Sequence, residues 1–298
     1  MAANRSEDAQ PSRTSPTPKA PPGLHLIATP IGAARDITLR ALDLLAGADI
    51  LAAEDTRSLR RLMELHGIAI GQRPLLPYHD HNGPQMRPRL IAALKRGESV
   101  VYAAEAGTPM VADPGYQLVR EALAQGIAVH AAPGPSALLA ALVVSGLPSD
   151  RFCFMGFAPA QASARQKFLK EAATIPATLV FYESPHRIQK MLGDLVAVFG
   201  AEREAALCRE LTKRFEEVLR MPLGALAETV SGRTLKGEIV VLVDRQRTQT
   251  SGAEVLEERL MQAMEKQPLK AAVAQVSEAL GLPRRDVYQT ALRLRDAP

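Results

Sequence analysis

The sequence predicts an α/β protein built as two α/β domains with a cleft between them and a helical, helix-turn-helix-like appendage at the C-terminus. Three observations predict it. Short apolar runs alternate with helix-periodic segments over residues 23–145, the βα alternation of a parallel sheet flanked by helices. A Gly-Leu-Pro-Ser-Asp linker at 146–150 leads into a second alternating set that ends near residue 244. A polar stretch, 245–252, then separates this set from a segment with helical spacing only. The boundaries expected are 1–22, 23–147, 148–244, 245–252 and 253–298, and 298 residues with 47% hydrophobic content suffice for two cores.

Residues 1–22 are rich in Pro, Ser, Thr and Ala and lack both the apolar stretch of a signal peptide and any periodicity, so a disordered tail is expected. The first strand, 23–28, runs into T-P-I-G at 29–32. A helix over 38–46, a strand over 50–53 and a helix over 56–66 follow, with Asp55 or Thr56 as its cap. The strand 99–104 opens into A-E-A-G-T-P-M-V-A-D-P-G, residues 104–115, and a helix over 116–125 comes next. The strand 128–132 ends in P-G-P-S at 133–136. Three strands therefore end in Gly/Pro loops, where backbone can approach a ligand, on the edge at which open α/β sheets bind their ligands. None of the loops is a G-x-G-x-x-G fingerprint or a nucleotide P-loop.

In the second domain strands are expected at 152–156, 178–182, 205–208, 216–221 and 238–243, with helices over 163–174 and 185–199. Helices over 269–280 and 284–294 flank Gly281-Leu282-Pro283, the outline of a helix-turn-helix. From Glu254 onward seven Lys/Arg balance seven Asp/Glu, so any contact with nucleic acid there rests on local placement, with Arg284, Arg285, Arg293 and Arg295 as candidates. A packing or dimerisation role is the other reading of that segment.

The formal net charge of +4 is compatible with a polyanionic partner. Two cysteines without metal-ligand spacing argue against a disulfide framework or structural zinc and favour a reducing cytosol. No apolar run reaches the roughly 20 residues that span a bilayer. The triplet His79-Asp80-His81 invites a metal reading, but with no third convergent ligand the expectation is a polar or substrate-side loop and no metal.

Nine motifs together resemble a known family: T-P-I-G-x-x-x-D-I-T at 29–38, A-A-E-D-T-R at 52–57, H-D-H-N at 79–82, A-G-T-P-x-x-x-D-P-G at 106–115, P-G-P-S at 133–136, G-L-P-S-D-R-F at 146–152, F-Y-E-S-P-H-R at 181–187, R-E-L-T-K at 209–213 and K-G-E at 236–238. The chain is similar, from about Gly23 to its C-terminus, to the tetrapyrrole-methylase-type (class III) S-adenosylmethionine-dependent methyltransferases, in the branch that modifies ribosomal RNA. The resemblance implies S-adenosyl-L-methionine folded between two α/β domains, a homodimer, and 2′-O-methylation of a cytidine in the decoding region of 16S ribosomal RNA, free or in the assembled small subunit. It places Pro30, Ala104, Glu105, Ala106, Gly107, Thr108 and Pro109 around the donor, together with Pro133, Gly134, Pro135 and Ser136. Two departures stand out: A-E-A-G-T-P replaces the commoner S-D-A-G-T-P, and Ala33-Ala34 replaces Asn-Leu.

A ribose 2′-hydroxyl is a poor nucleophile at neutral pH, so a base or a charge favouring the alkoxide is expected. Glu183, Glu210 and Lys213 are the catalytic candidates, and an ion-paired network bracing the cleft is the equal alternative. Arg57, His79, His81, His186, Arg187, Arg209, Arg284 and Arg285 are the substrate candidates, with Arg187 and Arg209 expected to hold phosphate. A tetrapyrrole-precursor C-methyltransferase shares the donor loops, but F-Y-E-S-P-H-R and the C-terminal helix pair argue against it. A non-catalytic ribosome-associated RNA-binding module is the alternative from another class.

Overall fold

The computed structural model describes residues 19–245 and 252–295. Residues up to Arg245 form one compact unit and the remainder a second.

The first sheet contains β1 (Gly23–Ile27), β2 (Ile50–Ala53), β3 (Leu75–Pro77), β4 (Ser99–Ala103) and β5 (Val129–Ala132), in the order β3-β2-β4-β1-β5 with every pair parallel. Every residue of β1, β2 and β4 is buried, which explains their continuous apolar runs: helices cover both faces. On one face α1 (Leu39–Gly47) and α2 (Thr56–Leu65) bring Leu42, Leu45, Leu59 and Met63 onto Ile27, Leu51 and Val101. On the other, α3 (Gly83–Lys95) and α4 (Tyr116–Ala124) bring Leu90, Leu94 and Leu118 onto Leu24, Val100 and Tyr102. Thr38 caps α1 by accepting from the Ala41 N–H at 3.2 Å, and Asp55 caps α2 through the Arg57 N–H at 2.7 Å.

After α5 (Ala137–Ser145) the second sheet follows, with β6 (Phe152–Phe157), β7 (Thr178–Glu183), β8 (Glu204–Arg209), β9 (Glu217–Pro222) and β10 (Ile239–Val243). Its order is β6-β7-β10-β8-β9; β6 runs parallel to β7 and the other pairs are antiparallel. One face is covered by α6 (Ala162–Ala172), α7 (Ile188–Phe199) and α8 (Leu223–Val230), around Leu169, Phe181, Leu192 and Val241. The other receives α5, whose Ala141 and Leu142 pack with Ile31 of the first loop against Val180, Cys208 and Leu242. The Tyr182 hydroxyl accepts from the Leu138 N–H at 3.1 Å. The chain thus leaves the first sheet and lays its next helix on the second, which holds the two sheets to one shared core.

Four elements escape the sequence pattern. Three-residue β3 and eight-residue α8 are too short to show a period, and Pro84 and Pro88 disguise α3. Nearly every residue of α5 is apolar, so no face stands out. The expected tail also ends earlier: Ala20 is buried and its N–H donates to the Gly47 carbonyl at 3.0 Å, while Lys19 pairs with Asp49 at 3.1 Å. The rest of that expectation, 1–18, and residues 246–251 of the expected linker lie outside the described residues.

Among the described residues the second unit comprises three helices, α9 (Gly252–Lys266), α10 (Leu269–Leu280) and α11 (Arg284–Arg295), around Leu260, Val273, Val276 and Val287. Gly281 takes the left-handed conformation that ends α10, and the Leu282 N–H returns to the Ser277 carbonyl at 3.1 Å. Among the described residues no helix is long and apolar enough to cross a membrane.

Candidate active site

The three Gly/Pro loops leave adjacent strands at one edge of the parallel sheet and are sewn together there. Thr29 and Gly107 exchange both backbone hydrogen bonds at 2.9 Å, the Thr29 hydroxyl donates to the Ala104 carbonyl at 3.2 Å, and the Thr108 hydroxyl donates to the Pro135 carbonyl at 3.0 Å. Glycine is required at two places for space and backbone. A Cβ on Gly134 would meet the Ala28 Cβ at 3.0 Å, and one on Gly115, at φ +124°, would sit 2.8 Å from the Tyr102 ring. A second set of loops, from the second sheet, faces the first: a Cβ on Gly32 would lie 2.5 Å from both Lys213 Cγ and Thr212 Oγ1, and the Ala33 N–H donates to that same hydroxyl at 3.1 Å.

Between these loops lies a cavity of about 640 Å³. Its lining includes Pro30, Glu105, Ala106, Gly107, Thr108 and Ser136 from the expected donor set. Pro109, Pro133, Gly134 and Pro135 do not line it; they form the turns behind it, and Ala104 opens onto a neighbouring cavity. The sequence reading missed three acidic residues, Glu54, Asp113 and Glu238, that join Glu105 and Glu183 in the lining. Burial, together with Glu54, Glu105 and Glu238, pushes the Asp113 carboxyl up to about 7. Burial also raises that of Glu54, whose Oε2 is buried without a hydrogen-bond partner. Lys213 is the one cationic side chain lining the cavity among the described residues. Its Nζ donates to Glu210 at 2.9 Å and to Glu238 at 3.1 Å. Although burial works against its charge, these carboxylates hold its pKa above the usual lysine value, so Lys213 stays an ammonium and accepts no proton.

Backbone strain concentrates in the same place. Among the described residues the non-glycine ones with positive φ are Met110, Ala112, Glu210 and Thr212, two in each of the facing loops.

Several expected roles meet other partners. Glu183 lines the cavity with a fully buried side chain whose Oε1 accepts its neighbour Ser184's N–H at 2.8 Å and whose Oε2 lies 3.2 Å from Arg187. Glu210 anchors Lys213 and accepts the Glu238 N–H at 3.1 Å, and Lys213 holds its pKa down. Arg187 and Arg209, expected to hold phosphate, meet partners within the fold. Arg187 is drawn inward to Glu183 and the Ala158 and Pro159 carbonyls; Arg209 donates to Glu217 at 3.0 Å and to the Lys236 carbonyl at 3.1 Å. Both arginines thus pair with groups of the fold itself, while the Arg187 Nε is buried without a hydrogen-bond partner. His186 is exposed on the turn before α7.

His79 and His81 lie past the end of β3, in the turn that leads into α3, so they do not share a strand face; their rings meet edge to face at 6.0 Å. The Asn82 side chain accepts the His79 N–H at 2.9 Å. Among the described residues no three His, Cys, Asp or Glu side chains converge to hold a metal ion. Arg57 is exposed at the start of α2, and Arg284 and Arg285 are exposed at the start of α11 in the second unit.

Comparison with known proteins fits this geometry. The model of the tetrapyrrole (corrin/porphyrin) methylases matches residues 23–227, and that of the RsmI C-terminal HTH domain matches residues 249–295. The fold is shared with uroporphyrin-III C-methyltransferase from Thermus thermophilus, solved in complex with S-adenosylhomocysteine: TM-score 0.51, 20% identity, covering 74% of this chain and 96% of that one. Fold and site therefore define a methyltransferase of the tetrapyrrole methylase class. Within that class the chain is 46% identical to the ribosomal RNA small subunit methyltransferase I of Mesorhizobium japonicum over 92% of its own length and 93% of the relative's. It is 44% identical to that of Xylella fastidiosa over 90% and 98%. The chain belongs to the ribosomal RNA small subunit methyltransferase I family.

Proposed function

We propose that the protein transfers the methyl group of S-adenosyl-L-methionine to the 2′-oxygen of a cytidine in the decoding region of 16S ribosomal RNA, acting in the cytoplasm as a homodimer on the RNA or the assembled small subunit. The observation that carries this reading is the composition of the cavity: walls of main chain, five carboxylates and a single ammonium, in a chain similar over nine-tenths of its length to ribosomal RNA methyltransferases.

The residues present fit the donor. It is a sulfonium that also carries an ammonium group, and the unpartnered Glu54 Oε2, Glu105, Asp113 and Glu238 give a cation a favourable site. The backbone of the Gly107 and Ser136 loops suits its amino-acid and adenine ends. When bound, the donor supplies an already activated methyl group, so the protein's task is alignment and exclusion of water. Lys213, fixed by Glu210 and Glu238, aims a positive charge into the cavity, where it favours negative charge developing on the attacking oxygen. Glu183 braces the turn carrying Pro185 and Arg187. The two sheets act as two halves of the cleft, divided near residue 147. The dimer reading draws on α5, which exposes Val143 at 78% and Leu139 at 49% one turn apart; L139E/V143E should sediment as a monomer.

The test is transfer of a labelled methyl group to small subunits lacking the modification, followed by mapping of the product nucleotide. Label on a decoding-region cytidine 2′-oxygen is expected. Label on a uroporphyrinogen-type compound instead would overturn the reading, and donor binding absent beside tight RNA binding would leave a non-catalytic RNA-binding module.

A further inference from the structure

Beside the donor cavity lies a second cavity of about 600 Å³, and the two share Pro30, Gly32, Ser58 and Glu105 as a common wall. Their chemistry differs sharply. The first carries five carboxylates against Lys213, a charge that repels phosphate, so a nucleotide presenting its ribose there must leave its neighbouring phosphates outside. The second balances Arg57 and Arg61 against Asp55 and Glu105, over Leu62, Leu65 and Ala34, so it lacks the acidic excess of the first. Arg57, Arg60 and Arg61 stand at i, i+3 and i+4 on α2, so they form one stripe, with Leu59 and Met63 buried on the opposite side. Side-chain exposure is 91% for Arg57 and 71% for Arg61. Arg57 holds Asp55 with Nε at 3.2 Å and Nη2 at 2.7 Å, and Arg61 lies 3.9 Å from Glu64; both arginines sit at the surface, where an incoming phosphate can compete for them. Leu65 remains 54% exposed, an apolar surface beside the two arginines. The far wall is fixed by His66, whose Nε2 contacts the Ala34 carbonyl at 2.9 Å.

We propose that this second cavity is a subsite for single-stranded RNA, seating the nucleotide next to the one that is methylated, with its base or ribose against Leu62 and Leu65 and its phosphates on Arg57 and Arg61. The inference rests on the RNA-methylating reading above and adds to it where the strand runs. Unstacked bases and flexible strands suit such a site, since an apolar floor with an arginine rim binds without reading sequence.

The experiment compares the full-length protein with R57A/R61A. Neither residue lines the donor cavity, so donor affinity by calorimetry should stay within about twofold, which also reports folding. KM for the RNA substrate should rise at least about tenfold with kcat within about threefold. The slope of log affinity against log salt should fall by about 1.4, the value for two single-strand phosphate contacts. R57K/R61K should recover most of the slope. K170A, on the exposed face of α6, controls for loss of charge in general. Unchanged KM and salt slope in R57A/R61A would overturn the proposal. If the wild type transfers no methyl to ribosomal RNA, the function proposed above fails. The subsite is then decided by filter binding of a single-stranded oligoribonucleotide: binding that needs the two arginines upholds it, and equal or absent binding overturns it.

Discussion

Asp113 makes donor binding a proton-linked event. Its carboxyl, buried beside Glu54, Glu105 and Glu238, is pushed up to about 7, so in the unliganded protein it is about half protonated at pH 7 and about nine-tenths protonated at pH 6. A cationic ligand in the same cavity supplies the positive charge those carboxylates lack and returns Asp113 toward the ordinary carboxylate range. Binding should then release about 0.5 proton at pH 7 and about 0.9 at pH 6. Below pH 7 the donor dissociation constant should fall by up to about tenfold per pH unit as pH rises, levelling above pH 8. The assay is titration calorimetry in buffers of different ionisation enthalpy, in which the dependence of the observed heat on the buffer gives the protons released. D113N should remove most of the release, with a remainder from Glu54, whose carboxyl burial also raises. Proton uptake, no buffer dependence between pH 6 and 8, or an unaltered release in D113N would each refute the reasoning. The same shift has a stability consequence of determined sign. A carboxyl whose folded pKa is raised binds its proton more tightly folded than unfolded, so the unliganded protein should lose stability as pH rises from about 4 through 7, and D113N should flatten that slope.

Three further outcomes test the frame around the cavity. In G237A the new Cβ would fall 2.2 Å from Glu210 Cδ at a backbone φ of +90°, so the variant should lose about 1–3 kcal/mol in urea unfolding and release Lys213 from Glu210. K213A should slow single-turnover methyl transfer about 100-fold or more, the scale of losing one donor to a developing oxyanion. Donor affinity at pH 8 should not weaken, because the cavity becomes more negative. R165A strands Asp194, whose Oδ2 lies 2.6 Å from Arg165 in a pair with side-chain exposures of 6% and 14%. With Gln166 still donating to the other oxygen, a loss of about 3 kcal/mol is expected by chemical denaturation, with donor affinity unchanged.

What could be read from the chain follows what periodicity and local chemistry encode. The buried strands β1, β2 and β4, the two helices around Gly281 and the three Gly/Pro loops are local features, and their positions agree with the sequence pattern to within a residue or two. The acidic set was visible without being recognised. Glu54 directly follows β2 and Glu105 lies two residues past β4, and neighbouring parallel strands end on one edge, so these carboxylates converge once the strand order is known. Strand order is the non-local fact the sequence does not contain. The same holds for Arg187 and Arg209: the sequence does not show that the carbonyls of Ala158, Pro159 and Lys236 lie within their reach. Position α5 likewise depends on a partner, since an all-apolar helix becomes interpretable only when one side is found on β8 and β10.

The strained residues connect the stability of the fold to its chemistry. Met110 and Ala112 in one loop, and Glu210 and Thr212 in the other, hold left-handed conformations that cost a non-glycine residue about 1–2 kcal/mol each. Glycine would remove most of that cost, yet at each position a side chain is retained where the loops face the cavity. Two of the four make specific contacts that a glycine would forfeit: Glu210 holds Lys213, and the Thr212 hydroxyl accepts the Ala33 N–H across the cleft. The strain is offset by the packed cores on either side, which fix the loop ends through Tyr102 bonding to the Pro114 carbonyl and through the β8–β10 ladder. A rigid, main-chain-walled cavity is what alignment of a methyl group with an oxygen demands, because a displacement of an ångström loses much of the advantage of proximity. The two rigid sheets therefore support not only the cavity's position but the unfavourable backbone that shapes it.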